Sequence, residues 1–230
     1  MMTYAVGLPT SGRYTPFEWG LSLACLTWPM NSNYAYLPVK GRPRDEARND
    51  IVKTAQEMDT KYLLFIDDDT APPNHTITRL SYVLDNSDDD IGICAGIYCS
   101  KTDPPAPLVF DKEGNGSFWK WKVNTVFPCE RIGTGCMMVR MSVFDKLEKP
   151  YFKDIKTIED AVAHGYEVPD PKPIKFEVTD DMYFCKKVRE AGFKIMAHGG
   201  VLPIHWDQKG NPYYLLPDSY PVRQELEKTA

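Results

Sequence analysis

Tyr62-Leu63-Leu64-Phe65-Ile66-Asp67-Asp68-Asp69 is the stretch whose reading decides the fold. Five consecutive apolar residues lack the alternation of a half-solvated strand. They describe a strand buried on both faces, as in a parallel sheet covered by helices on each side. The three carboxylates that follow repel one another, and strand pleating sends Asp67 and Asp69 to one side and Asp68 to the other. A cation relieves that repulsion. Carboxylate ligation suits Mg²⁺ or Mn²⁺, which bind through one or two side chains and complete their shell with substrate phosphates. The rival explanation is a solvated turn capping the helix after Pro72-Pro73. The chain carries its own control in Asp88-Asp89-Asp90, equally acidic but without a buried strand before it, and this second run is expected to be only a loop.

Outward from that strand, the N-terminal side repeats one pattern. Tyr4-Ala5-Val6-Gly7-Leu8 is a short apolar strand closed by Pro9-Thr10-Ser11-Gly12, and residues 17–26 form a helix after it. A second strand is expected over 33–39, and Ala47, Ile51, Ala55 and Met58 recur at helical spacing. On the other side, Pro72-Pro73 suit a helix's first turn ahead of Ile77, Leu80, Val83 and Leu84, and residues 91–95 make the next strand. Three β-α repeats before a fourth strand form a Rossmann-like half-sheet, whose ligands bind at the carboxyl ends of the strands. The aspartates at 67–69 lie at such an end.

Beyond residue 100 the alternation fails, and the sheet is expected to turn antiparallel or mixed. Pro104, Pro105 and Pro107 lead to an expected hairpin around Gly114-Asn115-Gly116, flanked by Phe110 and Trp119-Lys120-Trp121. Residues 132–139 read as a strand opened by a glycine-rich bend, and Ser142-x-x-Asp145 resembles a capping box before 143–147. The polar stretch 149–173 is long enough to serve as a lid or acceptor loop. Thr179 can cap a helix over 180–191 that Gly192 stops, and a last strand follows at 193–197.

A chain of 230 residues with 43% apolar and 26% charged residues suits a single domain over 1–230, with a nucleotide-binding half (1–100) and an acceptor-binding and catalytic half (101–230). The net charge of −5, spread along the chain, excludes a basic nucleic-acid surface and directs attention to small or neutral ligands. The start lacks a basic n-region and 21–28 is too short to span a bilayer, so the chain reads as cytosolic with no transmembrane segment. The six cysteines form no C-x-x-C pair and look like reduced core residues.

Other candidate residues each have a plain explanation beside the chemical one. Asp180 and Asp181 open a helix, where the macrodipole favours carboxylates whatever the protein does. His205, between Ile204 and Trp206, is a metal ligand or simply a packed, hydrogen-bonded side chain. Gly133-Thr134-Gly135 can bring backbone amides to an anion, yet glycine at a strand bend is common. Trp119 and Trp121 fit either a sugar-stacking platform or a core.

Together these pieces resemble the glycosyltransferases of the GT-A fold, and more narrowly family 2. The resembling residues are Leu8-Pro9-Thr10, Ala47-Arg48-Asn49, Phe65-Ile66-Asp67-Asp68-Asp69 (as a D-x-D motif), Gly133-Thr134-Gly135-Cys136, Thr179-Asp180-Asp181 with Phe184-Cys185 and Ala191-Gly192-Phe193, and His205. The resemblance implies an α/β fold with a mixed, mostly parallel sheet flanked by helices and a small antiparallel region. It also implies an enzyme moving a sugar from a nucleoside-diphosphate sugar to an acceptor hydroxyl. In that reading Asp69, Asp67 and His205 hold Mn²⁺ or Mg²⁺, and Asp67 and Asp68 also meet the nucleotide. Pro9, Thr10, Arg13, Arg48, Gly133, Thr134 and Gly135 would line the donor site. Asp181 is the general base of an inverting reaction, with Asp180 where the family usually has glutamate.

Where many members carry a base-contacting aspartate after the second strand, this chain reads Val39-Lys40-Gly41. That leaves uridine as the first candidate and guanosine as the second. The sequence offers two alternatives: a sugar nucleotidyltransferase, for which Pro9-Thr10-Ser11-Gly12-Arg13 is a poor triphosphate loop, and a non-catalytic nucleotide-sugar-binding module. Nothing in it bears on the acceptor or the oligomeric state.

Overall fold

The structure is a computed structural model that describes residues 2–12, 15–112, 116–168 and 177–215. In chain order the first half runs β1 (Met2–Thr10), α1 (Phe17–Ala24), β2 (Tyr34–Lys40), α2 (Arg44–Glu57), β3 (Thr60–Ile66), β4 (Thr70–Ala71), α3 (Thr76–Asp85) and β5 (Ile91–Gly96). The second half continues with β6 (Val109–Phe110), β7 (Val126–Cys129), β8 (Arg131–Ile132), β9 (Cys136–Arg140), α4 (Met141–Phe144) and α5 (Ile158–Ala163). It ends with α6 (Asp180–Glu190), β10 (Lys194–His198), β11 (Ile204–Trp206) and β12 (Pro212–Tyr213).

The main sheet has the order β2-β1-β3-β9-β5-β10-β7. Strands β2, β1, β3, β5 and β10 point one way, while β9 and β7 run against them. The repeating β-α units thus form a mostly parallel sheet, as the apolar runs lead one to expect. The fourth strand of the series is not beside the third, because β9 from the second half is inserted between β3 and β5.

The period of two in the strands explains the layers. Leu63 and Phe65 of β3 join Ala5, Ile51, Val52 and Phe184 on one face, whereas Tyr62, Leu64 and Ile66 join Val6, Ile77, Leu80 and Leu84 on the other. Every residue of that strand except Lys61 is buried, so α2 and α6 cover one side and α3 the other. Each fully buried side chain of this size contributes about 1.5–3 kcal/mol. Helix α2 packs closely because β1 has a glycine opposite it: a Cβ at Gly7 would come within 2.6 Å of Ile51.

The expected hairpin partner of Phe110 and the capping box at Ser142 are not observed, and the open reading of Trp121 is decided. Phe110 pairs with Arg131 in the two-stranded β6-β8 sheet and not with a strand at 119–121. Residues 113–115 of the expected turn lie outside the described residues, as do residues 169–176, which include the end of the stretch 149–173 expected as a lid or acceptor loop. Trp121 is in the core, stacked with Phe127, because its ring covers Gly199. Ser142 is inside α4 and caps nothing, since the helix begins one residue earlier. Cys94, Cys99, Cys129, Cys136 and Cys185 are buried and form no disulfide among the described residues, and burial pushes the Cys136 and Cys185 thiols up to about 12. Cys25 is exposed. No helix among the described residues is long and apolar enough to cross a membrane.

Candidate functional site

Strand β3 ends at Ile66, and the next three residues turn out of the sheet with half-buried side chains. Backbone bonds hold this turn. Asp67 N–H donates to Gly135 O at 3.2 Å, Trp19 Nε1 donates to Asp67 O at 2.8 Å, and Trp206 N–H donates to Asp69 O at 2.8 Å. Each carboxylate then has a different distant partner.

Asp67 accepts Arg48 Nη2 on both oxygens, at 2.6 and 2.9 Å. The other end of the same guanidinium, Nη1, bonds Asp180 Oδ2. Arg48 is 1% exposed and Asp180 is fully buried. Burial alone would lower the Arg48 pKa, but the charges of Asp67 and Asp180 raise it, so the group remains a cation. Arg44, one turn earlier on α2, donates from Nε to Asp180 Oδ1 at 3.0 Å. Burial would likewise raise Asp180, yet the two guanidiniums outweigh it and hold its carboxyl below the usual range. Asn49 completes the clamp. It donates to Phe152 O and accepts from Tyr151 and Phe152 N–H, which ties α2 to the segment carrying Asp154. Asp154 Oδ1 in turn accepts the N–H of Asp180 at 3.0 Å.

These bonds correct two expectations. Asp180 is an anchor with both oxygens engaged and no exposed surface, so it cannot touch a substrate. Arg48 is a strut between two carboxylates and does not reach a diphosphate. Asp181, the next residue, is different. Thr179 Oγ1 and Met182 N–H both bond its Oδ1, and Oδ2 has no partner among the described residues. Burial and then the neighbouring charge of Asp180 push its carboxyl up. A raised carboxyl with a free oxygen is a competent proton acceptor.

Asp68 accepts Ser11 N–H at 2.9 Å and Ser11 Oγ at 3.3 Å, which joins the ends of β1 and β3. Asp69 lies between two cationic or potentially cationic groups. Lys101 Nζ is 2.5 Å from Oδ2, and His205 Nε2 is 3.4 Å from Oδ1. Burial would raise the Asp69 pKa, but His205 and then Lys101 carry it well below the carboxylate range. His205 is brought there by the small β12-β11-β4 sheet, where it pairs with Thr70, the residue after Asp69. Its Nδ1 bonds Cys99 O at 2.7 Å. A carbonyl only accepts, so Nδ1 carries a proton and donates it there, which turns Nε2 toward Asp69.

That pair, one carboxylate oxygen and one imidazole nitrogen, can hold a metal. Asp67 faces Arg48 instead and does not join it. No group of three or more His, Cys, Asp or Glu that could hold a metal ion occurs among the described residues. A cation here would therefore depend on its substrate for most of its shell.

The Gly133-Thr134-Gly135 bend supports the site from behind. Gly133 N–H donates to Leu108 O, and Gly135 N–H donates to the Tyr98 hydroxyl at 3.1 Å. Neither amide is available to an anion. A Cβ at Gly133 would lie 2.3 Å from the Tyr98 hydroxyl, so the glycine makes room for that buried ring, which also meets His205 edge-on at 5.1 Å.

Pro9, Thr10, Ser11, Arg42, Arg44, Ala47, Asp67, Asp68, Asp69 and Gln208 line a cleft of about 260 Å³ at these strand ends. Arg13 lies outside the described residues. A larger cavity of about 450 Å³ opens at the start of β3, around Thr60, Lys61, Arg140 and Asp145. Ligands of open α/β sheets bind at the carboxyl ends, and the converging carboxylates are at that end, so the smaller cleft is the candidate site. Sequence reasoning missed Lys101, Arg44, Tyr98, Asp154 and Gln208. Only Arg44 left a signal, its four-residue spacing from Arg48.

No protein-family model and no curated protein matches the chain. Among solved structures, A197 from STIV has a TM-score of 0.63 with 16% sequence identity, over 94% of this chain and 91% of that one. The fold is similar to that of A197. It is a mixed α/β arrangement of a mostly parallel seven-stranded sheet flanked by helices, with a small antiparallel sheet at its side. S. aureus TarS 1-349 gives a TM-score of 0.47 at 14% identity, covering 95% of this chain, which spans 61% of that one. The same fragment in complex with UDP-GlcNAc gives 0.47 at 13% identity, over 93% of this chain and 58% of the other.

Proposed function

We propose that the chain is a glycosyltransferase that moves a sugar from a nucleoside-diphosphate sugar, a UDP-sugar first among candidates, to an acceptor hydroxyl with inversion. The observation that carries this reading is the Asp67–Arg48–Asp180 bridge. It ties the cleft end of β3 to the start of α6, the helix whose second residue is Asp181, and this supports reading Asp181 as the base of the same site.

In this reading Pro9, Thr10 and Ser11 bound the nucleotide. Asp69 and His205 would hold a divalent cation, and their mixed oxygen and nitrogen donors suit Mn²⁺ better than Mg²⁺, which favours oxygen alone. When bound, the cation supplies charge neutralisation to the departing diphosphate. Asp181 Oδ2 takes the proton of the acceptor hydroxyl as its oxygen attacks the anomeric carbon and the bond to the diphosphate breaks, the electron pair leaving with the phosphate. Asp180 keeps Asp181 basic by its adjacent charge and is itself held by the two arginines.

The test is a panel of UDP- and GDP-sugars with Mn²⁺, read as release of nucleoside diphosphate. Asp181→Asn is expected to lower turnover about a hundredfold or more while leaving donor affinity nearly unchanged. A fully active variant would sink the assignment, and release of pyrophosphate from a nucleoside triphosphate would favour a nucleotidyltransferase instead.

A further inference from the structure

Most of the positive charge bonded to the site's carboxylates is already engaged. Arg48 is buried between Asp67 and Asp180, and Arg44 bonds Asp180 and approaches Asp154 at 3.8 Å. Arg42, on the cleft wall, is paired with Glu46 and Asp50. Lys101 differs in two respects. Its side chain is 29% exposed, and its one partner among the described residues is Asp69, on Oδ2 at 2.5 Å. The other oxygen of that carboxylate faces His205 Nε2. The ammonium and the candidate metal position therefore divide a single carboxylate between them.

Resting on the donor reading above, we propose that Lys101 is a second cationic ligand for the donor's diphosphate, held on Asp69 until a divalent cation takes that carboxylate. A divalent cation on Asp69 would stand within a few ångströms of the ammonium, and like charges at that separation repel at a part-exposed site. The repulsion drives Lys101 off Asp69 and outward. Charge balance gives it a destination. A divalent cation on one carboxylate leaves one net positive charge against the two negative charges of a diphosphate linkage, and the freed ammonium supplies the second. Arg44 and Arg48 cannot do so without leaving Asp180 buried and unpaired. Lys101 is in the loop after β5, on the same side of the sheet as the cleft, and a lysine is a mobile point charge that reorients more readily than an arginine fork. The same residue thus neutralises Asp69 in the free protein and the diphosphate in the loaded one.

The experiment compares wild-type protein with Lys101→Met in two calorimetric titrations. With Mn²⁺ alone, Lys101→Met is expected to bind the ion about fivefold more tightly, because the competing ammonium is gone. With UDP in saturating Mn²⁺, the variant is expected to bind about tenfold more weakly, and Lys101→Arg is expected to recover most of that loss. A thermal melt of Lys101→Met that matches wild type shows that the variant is folded, so that the gain in the first titration and the loss in the second belong to the site. Unchanged or weaker Mn²⁺ binding by Lys101→Met, or unchanged UDP binding, overturns this proposal alone. Wild-type protein that binds neither UDP nor GDP in Mn²⁺ overturns the donor reading and this proposal with it.

Discussion

The chain has two runs of three aspartates, and they have opposite fates. Residues 67–69 leave β3 at its carboxyl end, and residues 88–90 enter β5 at its amino end. The two strands point the same way, so the runs sit at opposite edges of the sheet. At the first edge Asp67 is bonded to Arg48 of α2, Asp68 to Ser11 after β1, and Asp69 to Lys101 after β5 and His205 of β11. At the second edge Asp88 and Asp89 are exposed, Asp88 O closes a turn onto Ile91 N–H, and Asp90 pairs with the exposed Lys194. Equal composition makes a site at one edge and a solvated turn at the other. What separates them is convergence: at the carboxyl edge, segments from distant parts of the chain meet, and each carboxylate finds a partner that the local sequence does not supply.

The sharpest way to break this comparison is to remove one cation from each run. Arg48→Met leaves Asp67 and buried Asp180 without a counter-charge and is expected to destabilise the protein by about 3–5 kcal/mol. Lys194→Met, which frees Asp90, is expected to leave the melting temperature unchanged. Thermal denaturation of the two variants decides this, and similar shifts in both would erase the distinction. A smaller effect is expected on ligand-linked stability. UDP at a hundred times its dissociation constant, with Mn²⁺, stabilises the folded state by about 2.7 kcal/mol. Asp69→Asn is expected to lose that shift and Asp89→Asn to retain it.

The smallest effect concerns Asp181 and carries a pH signature. Its carboxyl is raised above the ordinary 3.8 in the folded state, so ionisation costs stability at neutral pH. As pH falls, the folded chain takes up this proton before the unfolded one does, and the cost disappears. Asp181→Asn is therefore expected to melt up to about 3 °C higher than wild type at pH 7. The gap should close as the pH is lowered toward 3.8. A gap that widens on acidification would contradict the assigned direction of the shift.

Much of the fold was legible because it rests on local periodicity. The apolar run of β3, the helical spacing in α2 and α3, and Gly192 at the end of α6 each report a structure that their own residues favour. The left-handed φ of +89° at Gly192 is one that glycine adopts without strain. The insertion of β9 between β3 and β5 was not legible, since a strand's neighbours depend on the whole topology. In the site, residues 9, 10 and 67–69 were expected at one strand edge and are found lining one cleft. Arg48 and Asp180 were recognised as special but given the wrong work, because burial decides whether a charged group faces a ligand or another side chain.

By itself, then, the sequence determined that an α/β sheet with strands buried on both faces would present an acidic turn at a strand's carboxyl end, because apolar runs and turn residues act locally. The tertiary structure alone decided which carboxylate stayed free. His205, Lys101 and the two guanidiniums of α2 come from separate segments, and only their convergence in space buries Asp180 between two arginines and sets Asp69 between Lys101 and His205.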